Sequence, residues 1–79
     1  MTDIVMPDLG EDFEEANISF WLVEAGERVE AGKDLVEVTT EKSTFNIPAP
    51  CAGVVTELIA LEGESVPVGN VLARIEEEN

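Results

Sequence analysis

VEVTTEKSTFNIP, residues 36–48, is the stretch on which the reading of this chain turns. Folded back on itself with Glu41 and Lys42 as the two loop residues, it pairs Thr40 with Ser43, Val38 with Phe45 and Val36 with Ile47. Apolar then meets apolar, while Thr39 with Thr44 and Glu37 with Asn46 form polar pairs on the other face, the alternation of a strand pair with one buried side. Pro48 and Pro50 end the pairing because proline has no N–H to donate. Two-residue hairpin loops favour Asn-Gly or Asp-Gly, since both central residues are expected at positive φ, and Glu-Lys meets that need poorly. The flanking strands must therefore hold the turn, and a local rule broken in this way points to function at that place.

Lys42 is one of two lysines, and the register displays it at the hairpin tip. An amine projecting into water beside Glu41 lacks the desolvation or cationic neighbours that activate catalytic lysines. It suits a target that another protein recognises and modifies. Lys33, in the GKD turn, lacks this framing and reads as a solvated charge.

Outward from the hairpin, the chain repeats itself at an offset of 37: Gly26 matches Gly63, Glu27 matches Glu64, Val29 matches Val66, Gly32 matches Gly69 and Leu35 matches Leu72. Ile18, Ser19, Trp21, Leu22 and Val38 face the similar residues Val55, Thr56, Leu58, Ile59 and Ile75 at the same offset. Two copies are too few to stack as a solenoid, so a pseudo-twofold closed structure is expected. Short β-branched runs bounded by glycine predict strands near 4–6, 17–23, 28–29, 35–40, 43–47, 54–61, 65–66 and 71–75. A helix over 24–35 is disfavoured by Gly26 and Gly32, and its counterpart would contain Pro67.

The fold class is thus all-β, a flattened eight-stranded barrel or sandwich of two pseudo-twofold-related four-stranded sheets. Its core is expected from Ile4, Ile18, Trp21 or Phe20, Val29, Leu35, Val38, Ile47, Val55, Leu58, Val66, Leu72 and Ile75, with Cys51 a small filler. At the repeat offset Lys42 corresponds to Asn79, so one pole should carry the lysine and the other the termini.

Composition bounds the chemistry. The 79 residues make one small domain, and 18 acidic against 4 basic residues give a net charge of -14, which repels nucleic acid and anionic membranes alike. With no histidine and one cysteine, zinc sites and Ser-His or Cys-His catalysis are excluded. The glycines form no phosphate-binding loop. Glu11, Asp12, Glu14 and Glu15 read as a solvated loop without the regular ligand spacing of a calcium site. No catalytic residue and no metal ligand is expected. The absence of an export signal and of a disulfide pair suits a cytoplasmic setting, or a mitochondrial matrix in a eukaryote. The closing EEEN, residues 76–79, reads as the possible start of a linker.

MPDLGE at 6–11, the I-x-x-W-L-V-x-x-G-E-x-V run at 18–29, T-E-K-S at the tip, I-P-A-P-x-x-G-x-V at 47–55 and the E-G-E-x-V-x-V-G-x-x-L-x-x-I ending together closely resemble the lipoyl domain of the acyltransferase component of 2-oxo acid dehydrogenase complexes. The resemblance implies a hammerhead-like barrel, a single carrier domain over 1–79 with no active site of its own, and lipoic acid joined by an amide bond to Lys42 as a swinging arm. It implies as partners a lipoate ligase or lipoyl transferase, a thiamine-diphosphate-dependent 2-oxo acid decarboxylase, the acyltransferase core and dihydrolipoamide dehydrogenase, the domain itself being monomeric. By the same resemblance the loop from Leu9 through Gly10, Glu11, Asp12, Phe13, Glu14 and Glu15 lies near the tip and, with Glu41 and Ser43, contributes to recognition. Lipoyl tips more often read Asp-Lys-Ala, with a glutamate three before the lysine and an acid four after it; here those places hold Glu41, Ser43, Thr39 and Asn46. Biotin carriers share the duplicated barrel but ordinarily flank their lysine with methionines. The glycine-cleavage carrier is longer, and an unmodified scaffold barrel is the reading from a different class.

Overall fold

The structure, a computed structural model, describes residues 1–8 and 14–78. Eight strands follow one another: β1 (Thr2–Val5), β2 (Glu15–Trp21), β3 (Arg28–Val29), β4 (Asp34–Thr39), β5 (Thr44–Pro48), β6 (Gly53–Leu58), β7 (Ser65–Pro67) and β8 (Val71–Glu77). They form two antiparallel four-stranded sheets, ordered β1-β8-β6-β3 and β5-β4-β2-β7. Replacing each strand by the one four places along turns the second order into the first. Among the described residues no strand pairing joins the two sheets, so of barrel and sandwich the fold is the sandwich.

The repeat extends to backbone detail. The ladder slips between Ile18 and Phe20 in one sheet and between Val55 and Glu57 in the other, positions 37 apart. Ile18 N–H donates to Glu64 O at 2.8 Å and Val55 N–H to Glu27 O at 2.9 Å, so each half is stitched to the other's turn. Gly26, Gly32, Gly63 and Gly69 all have φ between 89° and 95°, which only glycine adopts without strain. The glutamate after the first glycine of each pair caps its turn: Glu27 accepts from Glu24 N–H at 3.3 Å and Glu64 from Leu61 N–H at 2.5 Å. The repeated Gly-Glu dipeptide therefore encodes one turn twice.

Inward-facing residues of β2, β4, β6 and β8 form the core, and Ile18, Leu35, Val36, Val38, Val55, Leu72 and Ile75 are at most 1% exposed, the adjacent Leu35 and Val36 both buried where the β4–β5 register slips. No polar or charged side chain is buried among the described residues, so cohesion comes from apolar burial with no desolvated charge to offset. The expected core differs in particulars. Phe20 is 43% exposed, and Trp21 and Leu58 pack against the core while only partly buried. Met6, Ala16, Val23, Ala49, Ala60 and Ala73 are buried although the strand pattern did not mark them. Cys51 is a half-buried filler against the core.

Trp21 lies at the crossing of the halves, where its indole Nε1–H donates to Ala60 O at 2.8 Å. Trp21→Phe removes that donor and part of the packed ring. The variant should lose about 1–2 kcal/mol, read as a lower urea midpoint with an unchanged slope.

Strand limits moved in both directions. β2 starts at Glu15 and ends at Trp21, and β6 ends at Leu58, each strand pairing for two residues past its ladder slip before the chain leaves the sheet. β8 runs two residues beyond expectation: Glu76 pairs with Val54 and Glu77 with Gly53, while Glu78 N–H donates to Ala52 O at 3.0 Å. Any linker therefore begins beyond these acids.

Candidate functional site

The β4–β5 hairpin has the register read from sequence: Val36 faces Ile47, Glu37 faces Asn46, Val38 faces Phe45 and Thr39 faces Thr44, with a one-residue slip before Asp34 meets Pro48. Val36, Val38 and Ile47 enter the core and Phe45 packs against it, which anchors the hairpin's base. Glu41, Lys42 and Ser43 are all exposed at its tip.

The turn does not take the form expected of a two-residue loop. No described residue other than glycine has positive φ, so Glu41 and Lys42 keep negative φ and need no glycine. Thr40 closes the turn instead. Its N–H donates to Ser43 O at 2.7 Å. Its hydroxyl oxygen accepts from Ser43 N–H at 3.0 Å and Lys42 N–H at 3.3 Å, and the same hydroxyl lies 3.1 Å from Ser43 O. Sequence reasoning passed over this residue; a threonine just before a loop that lacks glycine was the available signal.

The positions that depart from the usual lipoyl tip are occupied locally. The Thr39 and Ser19 hydroxyls lie 2.5 Å apart, tying the end of β4 to β2. Asn46 donates from Nδ2 to Asp34 at 3.2 Å across the hairpin.

Of the residues assigned to the recognition loop, Leu9, Gly10, Glu11, Asp12 and Phe13 lie outside the described residues. Glu14 and Glu15 do not belong to a free loop. Glu15 opens β2 opposite Pro67, and Glu14 O accepts from Val68 N–H at 3.0 Å, because Ala16 must be buried and draws the preceding backbone onto the sheet. Both acids remain exposed. Since Asn17 pairs with Thr39, continuing that register leads Ala16 and Glu15 toward the hairpin tip.

Charge sets the lysines apart from the arginines. Arg28 pairs with Glu30 and Glu78, each at 2.5 Å, and Arg74 with Asp3 at 3.4 Å and Glu57 at 3.6 Å. The hydrogen bond to Glu30, then that to Glu78, holds the Arg28 guanidinium above its ordinary pKa. These pairs are half exposed and worth little for stability. Their consequence is electrostatic: among the described residues the side-chain cations outside ion pairs are the two lysines. Lys33 sits in the β3–β4 turn, its carbonyl accepting from Ala49 N–H at 2.8 Å. The twofold relation between sheets carries the hairpin end of β4 onto the C-terminal end of β8, where β1 also begins opposite Ile75.

The apolar groove between β1 and β5, lined by Ile4, Val5, Pro7, Ile47, Pro48, Ala49 and Pro50, holds one carboxylate, Asp3, which is already paired with Arg74. It offers no acid–base pair. The chemistry available to the tip is that of a free primary amine on a braced turn, suited to acylation by another protein.

Comparison with known proteins agrees with this geometry. The Biotin_lipoyl family model, described as "Biotin-requiring enzyme", matches residues 2–75. The dihydrolipoyllysine-residue acetyltransferase component of the pyruvate dehydrogenase complex of Corynebacterium glutamicum is 45% identical over 78 residues, 99% of this chain and 12% of that protein. The corresponding succinyltransferase component of the 2-oxoglutarate dehydrogenase complex of Bartonella vinsonii is 41% identical over 75 residues, 95% of this chain and 18% of that protein. This chain thus spans a small part of the length of these relatives. The solution structure of the lipoyl domain of the 2-oxoglutarate dehydrogenase complex from Azotobacter vinelandii superimposes with a TM-score of 0.80 at 26% identity, covering 100% of both chains. With the family model matched over nearly its whole length and the duplicated sandwich in place, the chain belongs to the biotin/lipoyl-attachment family.

Proposed function

We propose that this chain is a lipoyl carrier whose Lys42 Nζ is joined by an amide bond to lipoic acid, serving a 2-oxo acid dehydrogenase complex. The observation that carries the reading is the exposed amine at the tip of a register-locked hairpin, outside any ion pair among the described residues. The similarity to lipoyl-bearing acyltransferase components supports it. When bound, the dithiolane supplies a disulfide that can be reduced and a thiol that can carry an acyl group.

The residues of this chain perform the presentation. The apolar base of the hairpin fixes where the arm is rooted, and the exposed tip leaves it free to enter a partner's cleft. A tether attached beyond β8 would leave the lysine pole unobstructed, and tethering raises the local concentration of the arm at each partner. Glu41, Ser43, Glu14 and Glu15, with the segment from Leu9 to Phe13, form the recognition surface in this reading. The partners are a lipoate ligase or lipoyl transferase, a thiamine-diphosphate-dependent decarboxylase, the acyltransferase core and dihydrolipoamide dehydrogenase, in the cytoplasm or in a mitochondrial matrix. A biotin carrier is the second reading, since the family covers both prosthetic groups; Glu41 and Ser43, in place of flanking methionines, favour the lipoyl one.

Parallel incubations distinguish them. With lipoate ligase, ATP and lipoate, the folded chain should gain one lipoyl group, mapped by peptide mass to Lys42. With biotin ligase, ATP and biotin, it should gain nothing. Addition of biotin alone, or no addition in either arm, would overturn the carrier reading in favour of the rival or the unmodified scaffold. The lipoylated chain offered to decarboxylases for pyruvate, 2-oxoglutarate and branched-chain 2-oxo acids should be acylated preferentially by one of them.

A further inference from the structure

Both lysines are exposed, and neither is ion-paired among the described residues, so charge and access do not explain why an acylating enzyme would choose one of them. Their turns differ. Lys33 follows Gly32, whose φ is +89°, and its N–H donates to Glu30 O at 3.1 Å. Lys42 sits in a turn with no glycine, where a turn of ordinary handedness tends to splay strands against their natural twist. What closes it is Thr40, whose hydroxyl is in reach of Lys42 N–H, Ser43 N–H and Ser43 O, at 3.3, 3.0 and 3.1 Å. Through those contacts the side chain fixes the peptide planes on both sides of the lysine. The neighbouring Thr39 and Ser19 hydroxyls, 2.5 Å apart, brace the strand end from which the turn departs.

We propose that Thr40 is the positioning residue for acylation of Lys42: its hydroxyl holds the tip in the one conformation the ligase accepts, and this, rather than the amine's exposure, selects Lys42 over Lys33. The inference rests on the carrier reading above. In the reaction, neutral Nζ attacks the carbonyl carbon of the lipoyl adenylate, the bond from that carbon to the phosphate oxygen breaks, AMP leaves with the electron pair, and the nitrogen gives up its proton. Thr40 touches none of these atoms. Its contribution is the fraction of chains whose tip is competent for docking, and a binding-competent state that is only partly populated weakens apparent affinity by that fraction.

Thr40→Val keeps the shape and removes the hydroxyl. Its KM for lipoate ligase should rise about tenfold with kcat nearly unchanged, the scale expected when a small set of hydrogen bonds ceases to hold the competent state. Thr40→Ser should restore the wild-type KM. Acylation of Lys42 by a small N-hydroxysuccinimide ester, which does not read turn shape, should proceed equally in wild type and Thr40→Val. Independently of any variant, the Ser43 amide of the wild-type chain should exchange its hydrogen more slowly than an unstructured amide.

An unprotected Ser43 amide, or wild-type KM in Thr40→Val, would overturn the proposal while leaving the carrier reading intact. Should the valine variant fail to fold by circular dichroism, Thr40→Ala read against Thr40→Ser decides the same question. A wild-type chain that gains no lipoyl group at all would instead sink the reading beneath it.

Discussion

Gly53→Ala should destabilise the domain by about 3 kcal/mol, toward the upper end for overpacking at a rigid site. A Cβ at this position would lie 2.1 Å from Glu76 O, 2.9 Å from the carbonyl carbon of Glu76 and 3.1 Å from Glu77 Cα. All three are backbone atoms of the adjoining strand, so no side-chain rotation relieves the clash, and β6 must part from β8 where Gly53 pairs with Glu77. A chain of this size has about 4–12 kcal/mol of stability in all, and its thermal midpoint should fall by roughly 12–20 °C. The comparison is Gly63→Ala: φ is +89° there but a Cβ meets nothing within 4 Å, so only the left-handed backbone strain of about 1–2 kcal/mol applies. Thermal melts by circular dichroism test both. A Gly53→Ala midpoint no lower than that of Gly63→Ala would mean that the strands separate at little cost.

Lys42→Arg should abolish lipoylation outright while leaving the melt unchanged. Arginine keeps the positive charge and the long stem, but its delocalised guanidinium stays protonated and does not form the amide. Because Lys42 is exposed and makes no ion pair among the described residues, its replacement breaks nothing the fold depends on. Lys33→Arg should leave the extent of modification at the wild-type level. Intact-mass measurement after ligase treatment reads both, and a lipoyl group still present in Lys42→Arg would move the attachment site to Lys33 or the amino terminus.

The hairpin shows how far local pattern reaches. Alternation between apolar and polar residues has a period of two, so a register shift of one would turn Val36, Val38 and Ile47 out of the core, and only one pairing survives. That made Lys42 legible as the tip residue from the stretch 36–48. The repeat was legible for a similar reason, since the Gly-Glu turn recurs wherever the backbone needs positive φ with a carboxylate cap behind it. The closing of the lysine turn was not, because an ordinary-handed turn held by a threonine hydroxyl leaves no compositional mark comparable to Asn-Gly. Phe20 misled because the ladder slip after Ile18 changes which residues of β2 face inward, a shift set by the partner strand.

Pattern and composition alone thus determined an all-β duplicated domain, acidic enough to repel polyanions, with one lysine displayed on a hairpin. Tertiary structure decided that each sheet takes two strands from either half, that Ala16, Ala49, Ala60 and Ala73 are buried, that Gly53 must lack a side chain where its twofold counterpart Ala16 carries one, and that Thr40 braces the lysine turn. The reason is one of range. Alternation and turn chemistry act between residues close along the chain and leave their record in its order, whereas close backbone approach and burial of small residues depend on which distant strand arrives alongside.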